Sequence, residues 1–273
     1  MASPIDNYEM HAAKKYLEYT ETPLYRAFRD LDNPVSAASN FAVLKSMEDA
    51  PRSLREIEAY YKGSVYLNLV PKFEFTPDSV RPAESRAFFH QNGYELARRD
   101  MLRMTLCEKP SPLFVRRRCA IQSGDGRLPR AVAALLVEYC GGQEHARRLI
   151  ERQLTKGGAR AFVAFAADGA PASICVAHGY GSAYCITALY TAEARRRMGY
   201  GAAALAAAMR GAVEQPLGYD TIFLETVPEN KDAVRLFEKA GFRGAARSVV
   251  AAFKGGVGAP WTRLTKEEAE ALS

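Results

Sequence analysis

The run Arg195-Arg196-Arg197-Met198-Gly199-Tyr200-Gly201 puts three cations and two glycines ahead of a helix-forming stretch, Ala202 to Met209. The opening turns of a helix leave several backbone N–H groups unpaired, and the helix dipole makes that end mildly positive. Arginines there are electrostatically unfavourable unless an anion binds between them. Glycines lack the β-carbons that would keep a diphosphate from the backbone, and they permit unusual backbone angles. The chemistry implied is capture of a polyanion. Alone, a Gly-x-Gly turn beside solvated arginines is an ordinary surface feature. A second signature follows about thirty residues later: Leu224-Glu225-Thr226-Val227-Pro228-Glu229-Asn230, then Ala233, then Leu236-Phe237-Glu238-Lys239-Ala240-Gly241-Phe242.

Gly199-x-Gly201-x-x-Ala204 also fits a dinucleotide-binding fingerprint, with Glu225 ending a later strand as its ribose-binding acid would. That turn follows its strand directly, however, whereas Thr191 to Met198 intervene here. About thirty residues remain after Phe242, with no strand–helix–strand units to complete a nucleotide sheet. In their order and spacing, the two signatures instead resemble the core of the GNAT superfamily of acyl-CoA N-acyltransferases. The motifs cover residues 185–243, and the order of elements extends the resemblance to 115–253.

The resemblance implies a cofactor and a site. Acetyl-CoA is the expected donor, with its pyrophosphate over Arg196, Arg197, Met198, Gly199, Tyr200 and Gly201. Its pantetheine arm is expected between the fourth and fifth strands, pairing with backbone groups of Leu189 and Thr191. Asn230 matches the family asparagine near the cofactor, although an asparagine there also suits a helix cap. Phe237 stands where the family often has a tyrosine that protonates the leaving thiolate; phenylalanine cannot, and water or Tyr190 could substitute. Cys185 occupies a position where some members carry a carboxylate base. A cysteine nucleophile served by His178 is one reading of it, and an apolar strand cysteine is the other.

Glu225 is the candidate general base. Alternation along Thr221 to Val227 puts Phe223, Glu225 and Val227 on one face, so its carboxyl is expected in an apolar row where burial raises its proton affinity. Some members acting on N-terminal amines carry a glutamate there. The alternative is a structural glutamate paired with Arg243 or Arg247.

These residues need elements to position them. Apolar spacing of three and four predicts helices at Leu128–Tyr139 and Glu144–Leu154. Strands are expected at Ala161–Ala166, Ser173–His178 and Tyr184–Thr191, then a helix at Gly199–Glu214. A strand at Thr221–Val227, a helix at Lys231–Ala240 and a strand near Arg247–Phe253 complete the series. The fold class expected is α/β (α+β), a mixed, mostly antiparallel sheet flanked by helices. Prolines 110 and 112 place a domain boundary between 1–112 and 113–273. Upstream, Val65–Pro71 echoes Ile222–Pro228, and Glu84–Tyr94 echoes Asp232–Phe242, with Phe89 over Phe237 and Gly93 over Gly241. The first half therefore reads as a degenerate GNAT-like pseudo-domain without a Gly-x-Gly turn.

Composition narrows the function classes. The 273 residues are 48% hydrophobic and 25% charged, ordinary globular values. The net charge of +6 comes without an aromatic-and-basic repeat, so nucleic acid is not an expected partner. Five cysteines without a C-x-x-C pair argue against a disulfide scaffold or a zinc site. No secretory or membrane-spanning run is found, and a cytoplasmic location is expected. The reading is an acetyl-CoA-dependent N-acetyltransferase that uses no metal and acts on a small-molecule or peptide amine, with a homodimer as a candidate assembly. The alternative is a non-catalytic CoA-binding sensor or scaffold.

Overall fold

The computed structural model describes residues 3–62, 72–75, 82–108, 115, 119–214, 218–254, 261–265 and 267–268. In chain order the elements begin with α1 (Pro4–His11), β1 (Glu18–Glu21), β2 (Tyr25–Arg29), β3 (Phe41–Leu44), α2 (Ala50–Lys62), β4 (Lys72–Phe75), α3 (Pro82–Gln91) and β5 (Tyr94–Leu106). They continue with β6 (Ala120–Gly124), α4 (Arg130–Tyr139), α5 (Glu144–Thr155), β7 (Arg160–Phe165), β8 (Pro171–Tyr180) and β9 (Ala183–Thr191). The last are α6 (Tyr200–Val213), β10 (Thr221–Thr226), α7 (Lys231–Lys239), β11 (Phe242–Lys254) and β12 (Thr262–Arg263).

Two compact units divide the chain, and they interleave: Met1–Tyr16 with Met101–Ala246, and Leu17–Asp100 with Arg247–Ser273. The division expected between residues 112 and 113 falls at a stretch, 109–114, outside the described residues. The interleaving has a strand-pairing cause. Leu102 to Thr105 of β5 pair with β10, while Ala251 and Ala252 of β11 pair with β4, so each long strand changes unit along its length.

In the first unit the strands run in the order β5-β10-β9-β8-β7-β6. β9 and β10 are parallel, and the other registered neighbours are antiparallel. Alternation along β8 explains how both faces are covered. Cys175 and Ala177 pack toward α6 and α7, whereas Ile174 and Val176 pack toward α4 and α5. Helix α6 lies close to the sheet because its buried residues are mostly alanine. A β-carbon at Gly211 would come within 2.7 Å of the Phe162 ring. Strand β6, which the periodicity does not predict, adds an edge beside β7.

The N-terminal helix belongs to this unit, not to a separate first domain. Ser3 and Asp6 form a reciprocal cap at its start. Tyr8 and Ala12 then pack against Ala183, Cys185 and Phe223, on the sheet face opposite α6. Beneath it, His178 is fully buried, with Nε2 2.7 Å from the Gly157 carbonyl and Nδ1 3.0 Å from the Tyr8 hydroxyl. A carbonyl can only accept, so Nε2 carries the proton and Nδ1 accepts from Tyr8.

In the second unit, β1, β2 and β3 are antiparallel neighbours, β3 and β4 run parallel, and β4 pairs antiparallel with β11. Helix α2 buries Leu54, Ile57 and Tyr61 in a core with Phe89, Tyr94 and Leu96. The Tyr61 hydroxyl donates to the carbonyls of Phe28 and Phe41, tying α2 to β2 and β3. The sequence echo is visible where it can be described. Phe89 and Phe237 are both buried, and Gly93 and Gly241 both have positive φ, 77° and 96°, ahead of a long strand. The Val65–Pro71 part of the echo lies outside the described residues. Among the described residues, no helix is long and apolar enough to cross a membrane.

Burial lowers the His178 pKa to about 4, well below the free imidazole value. Between pH 6.5 and 4 the unfolded chain therefore takes up a proton that the folded chain refuses, so stability falls as pH falls through that window. At roughly 1.4 kcal/mol per unit, the loss reaches a few kcal/mol by pH 4. In urea unfolding at pH 7 and pH 5, His178→Gln is expected to be less stable than wild type at pH 7 but to lose less on acidification. An identical pH dependence in the variant would exclude His178 as the titrating group.

Candidate active site between two parting strands

Strands β9 and β10 pair in register from Ala183 with Thr221 to Ile186 with Leu224, and no further. Both continue, β9 to Thr191 and β10 to Thr226, so they part. The cause is local. The β8–β9 register slips between Val176 and Ala177, which pair with Ala188 and Ile186, leaving Thr187 as an unpaired bulge. The bulge bends β9 and reverses its alternation. Tyr184 and Ile186 face α6, and beyond the bulge Leu189 does so too, while Ala188 and Tyr190 pack toward α4. The resulting cleft is lined by Tyr139, Leu189, Glu225, Asn230 and Phe237 among others. Backbone groups of β9 beyond Ile186 are therefore exposed to a ligand on the side where β10 has departed.

The start of α6 has the features of an anion site. Its cap, Gly199, is left-handed with φ 85° and offers no side-chain cap to the first N–H groups, those of Tyr200, Gly201 and Ala202. Arg197 is also left-handed, φ 60°, an uncommon angle for a residue with a β-carbon. Arg196 donates to the Thr191 carbonyl at 3.4 Å and lies over the Tyr190 ring. Arg195 is neutralised by Asp168. Met198 is exposed, whereas the Tyr200 side chain is buried in the core, so Tyr200 can offer only its backbone here. Gly201 serves packing: a β-carbon there would stand 2.9 Å from Thr191 Oγ1. That hydroxyl is itself held 3.0 Å from Ser173 Oγ.

Glu225 lies in the cleft but not in an apolar row. It stands directly opposite Arg103 of β5 in the antiparallel register, and its Oε1 accepts from Arg103 Nε at 3.0 Å and Nη2 at 2.8 Å. The same Nη2 bonds Glu9 of α1. The arginine partner is thus Arg103 rather than Arg243, which pairs with Glu108. A guanidinium so placed favours the ionised carboxylate, opposing the effect expected from burial.

The remaining residues sort by face. Asn230 caps α7, accepting from the Ala233 N–H at 3.3 Å, and also lines the cleft. Phe237 lines it as part of the core. Tyr190 points to the α4 face, where its hydroxyl donates to Glu138 at 3.0 Å; burial and that carboxylate raise its pKa. The bulge is the reason, since without it Tyr190 would share the face of Ile186. The tyrosine that lines the cleft is Tyr139, at the end of α4, which sequence reading misses because it belongs to no motif. Cys185 is a buried thiol whose pKa burial raises, and His178 across from it has both nitrogens engaged. That pair forms core, not a nucleophile and base.

With this geometry established, comparison with known proteins identifies the class. Residues 130–242 match the model of the acetyltransferase (GNAT) family. Similar solved structures include a GCN5-related N-acetyltransferase from Kribbella flavida, 17% identical, with TM-score 0.61 over 91% of this chain and 93% of that one. A conserved protein of unknown function from Staphylococcus epidermidis is 13% identical, with TM-score 0.60 over 90% and 97%. A tandem GNAT protein from the clavulanic acid biosynthesis pathway is 15% identical, with TM-score 0.54 over 86% and 79%. No curated protein matches in sequence. Residues 130–242 thus form a domain similar to the acetyltransferase (GNAT) family, and the chain shares the fold of these structures over most of its length.

The contact at Gly201 makes a stability prediction. Gly201→Ala should cost about 1–3 kcal/mol through overpacking, read as a lower urea midpoint at unchanged slope. Thr191→Ala in the same chain removes the obstructing hydroxyl and should recover part of that loss, a coupling that a double-mutant cycle measures. Strictly additive effects would show that the two residues do not press on one another.

Proposed function

We propose that the protein is an acetyl-CoA-dependent N-acetyltransferase acting on an amine, either a small molecule or a peptide N-terminus, in the cytoplasm. The observation that supports this best is the coincidence of three features. Strands β9 and β10 part, the arginine-flanked start of α6 is uncapped beside them, and a carboxylate stands in the cleft they open. The parts suit an acyl-CoA. The N–H groups of Tyr200, Gly201 and Ala202, with Arg196 and Arg197, would hold its diphosphate. The open edge of β9 from Leu189 to Thr191 would pair with its amide-bearing arm, beside Asn230 and Phe237. When bound, the donor supplies an activated acyl carbon and a thiolate leaving group.

The chain's own residues do the rest. Backbone N–H groups of β9 beyond the bulge polarise the acyl oxygen, as an oxyanion hole does. Glu225 takes the proton from the attacking amine, and Arg103 fixes the direction of its carboxyl. A thiol of reference pKa about 8.5 leaves without a strong acid, so Phe237 in place of a tyrosine does not block transfer. The demand on the base depends on the acceptor. An α-amine near pKa 8 loses a proton at pH 7 for roughly 1.4 kcal/mol, whereas a lysine-like amine near 10.4 needs about 4–5.

Thiol release from acetyl-CoA, measured against a panel of amines, tests the activity; CoA binding without turnover would mark a sensor instead. In an active preparation, Glu225→Gln should lower kcat/KM about a hundredfold with little change in CoA affinity. A wild-type rate across about pH 6–9 would remove Glu225 as the base. Arg196→Glu with Arg197→Glu should weaken CoA binding at least tenfold, about 1.4 kcal/mol by calorimetry. Unchanged affinity in that variant would refute the assigned diphosphate site.

A further inference from the structure

Arg103 stands between two carboxylates. Glu225 faces it across the β5–β10 ladder, and Glu9 reaches the same Nη2 from α1. The three side chains are 18%, 28% and 33% exposed for Arg103, Glu225 and Glu9, so solvent only partly screens the trio. Paired with one carboxylate, a guanidinium holds it ionised and makes it a poor proton acceptor. A second carboxylate on the same nitrogen divides that attraction, and its own charge favours a proton on its neighbour. Tyr8 of α1 and Cys185 of β9 also face this place, but burial keeps both neutral. Among the described residues, the charged groups that bear on Glu225 here are Arg103 and, through it, Glu9.

We propose that Glu9 is a positioning residue for acyl transfer: by sharing Arg103 it leaves Glu225 basic enough to accept the acceptor's proton. This rests on the reading of Glu225 as the base. As the amine nitrogen bonds the acyl carbon and the carbon–sulfur bond breaks, the N–H proton passes to Glu225. Arg103 then keeps Glu9 as its counter-ion, so no buried cation is left unpaired. The N-terminal helix, far from every motif in sequence, thereby becomes part of the active site. Its packing through Tyr8 and Ala12 sets the place of Glu9.

The test is carboxyl carbon NMR on the full chain labelled at glutamate, with Glu225→Gln identifying the Glu225 resonance. Glu9→Gln should lower the Glu225 titration midpoint by about one pH unit, and Arg103→Met should raise it. The acid limb of kcat/KM, measured by thiol release from acetyl-CoA with an amine the wild type accepts, should move the same way in Glu9→Gln, with a severalfold lower plateau. Glu9→Asp, which keeps the charge, should restore part of both. An unmoved midpoint and an unmoved acid limb in Glu9→Gln would overturn the proposal. Loss of turnover in Glu225→Gln with no effect in Glu9→Gln would remove only the role of Glu9. Wild-type turnover in Glu225→Gln would remove the base assignment itself.

Discussion

The site depends on a single interrupted ladder. Hydrogen bonds between β9 and β10 stop after Ile186 and Leu224, and the cleft follows from that stop. A sheet that kept pairing would satisfy its own backbone and leave nothing for a ligand. A sheet that ended both strands there would offer no edge either. The bulge at Thr187 gives the intermediate case: β9 bends but keeps its bonds to β8, so its far edge is rigid and open. The open groups of that edge would suit a ligand's amides, because the fold holds them in place.

The start of α6 extends the same logic. Its glycines do different work, which the sequence pattern Gly-x-Gly conceals. Gly199 supplies a left-handed cap without a side chain to occupy the first N–H groups. Gly201 allows the helix to come against Thr191, on the strand that lines the cleft. One residue leaves the first N–H groups of α6 without a side-chain cap, and the other sets the distance of the helix from β9. The buried alanines that follow extend that close approach along the helix.

Much of this was legible in the sequence, and the parts that were not share a reason. Helices α4 to α7 and strands β7 to β10 follow from periodicity and turn residues, since those signals are local. The left-handed glycine turn ahead of α6 and the cleft residues Leu189, Asn230 and Phe237 follow from motif resemblance. Contacts between residues distant in sequence leave no such trace. Arg103 lies 122 positions from Glu225, and nothing in either neighbourhood announces the pair. Tyr190 is expected near the thiol only as a substitute for the family tyrosine, and the one-residue bulge at Thr187 turns it to the α4 face instead. The cut at 112/113 rests on Pro110 and Pro112, a local signal, whereas the units divide within β5 and β11, whose pairing is set by distant strands. The N-terminal sixteen residues have no signature at all, because packing of Tyr8 against His178 and Phe223 is a tertiary event.

The charged trio also bears on whether the cleft only binds or also reacts. Partly buried ion pairs are poor investments in stability, since apolar side chains of similar size often hold a fold as well or better. A cleft built only to grip a CoA-like molecule needs donors for its diphosphate and an edge for its amides, and the start of α6 and the open edge of β9 would suit both. It has no use for a carboxylate in that lining, least of all one paired with an arginine that a second carboxylate, Glu9, also holds. A reaction that sheds a proton from an attacking amine does have that use. The placement of Glu225 within the lining, where transfer rather than tight binding profits from a proton acceptor, weighs on the side of catalysis.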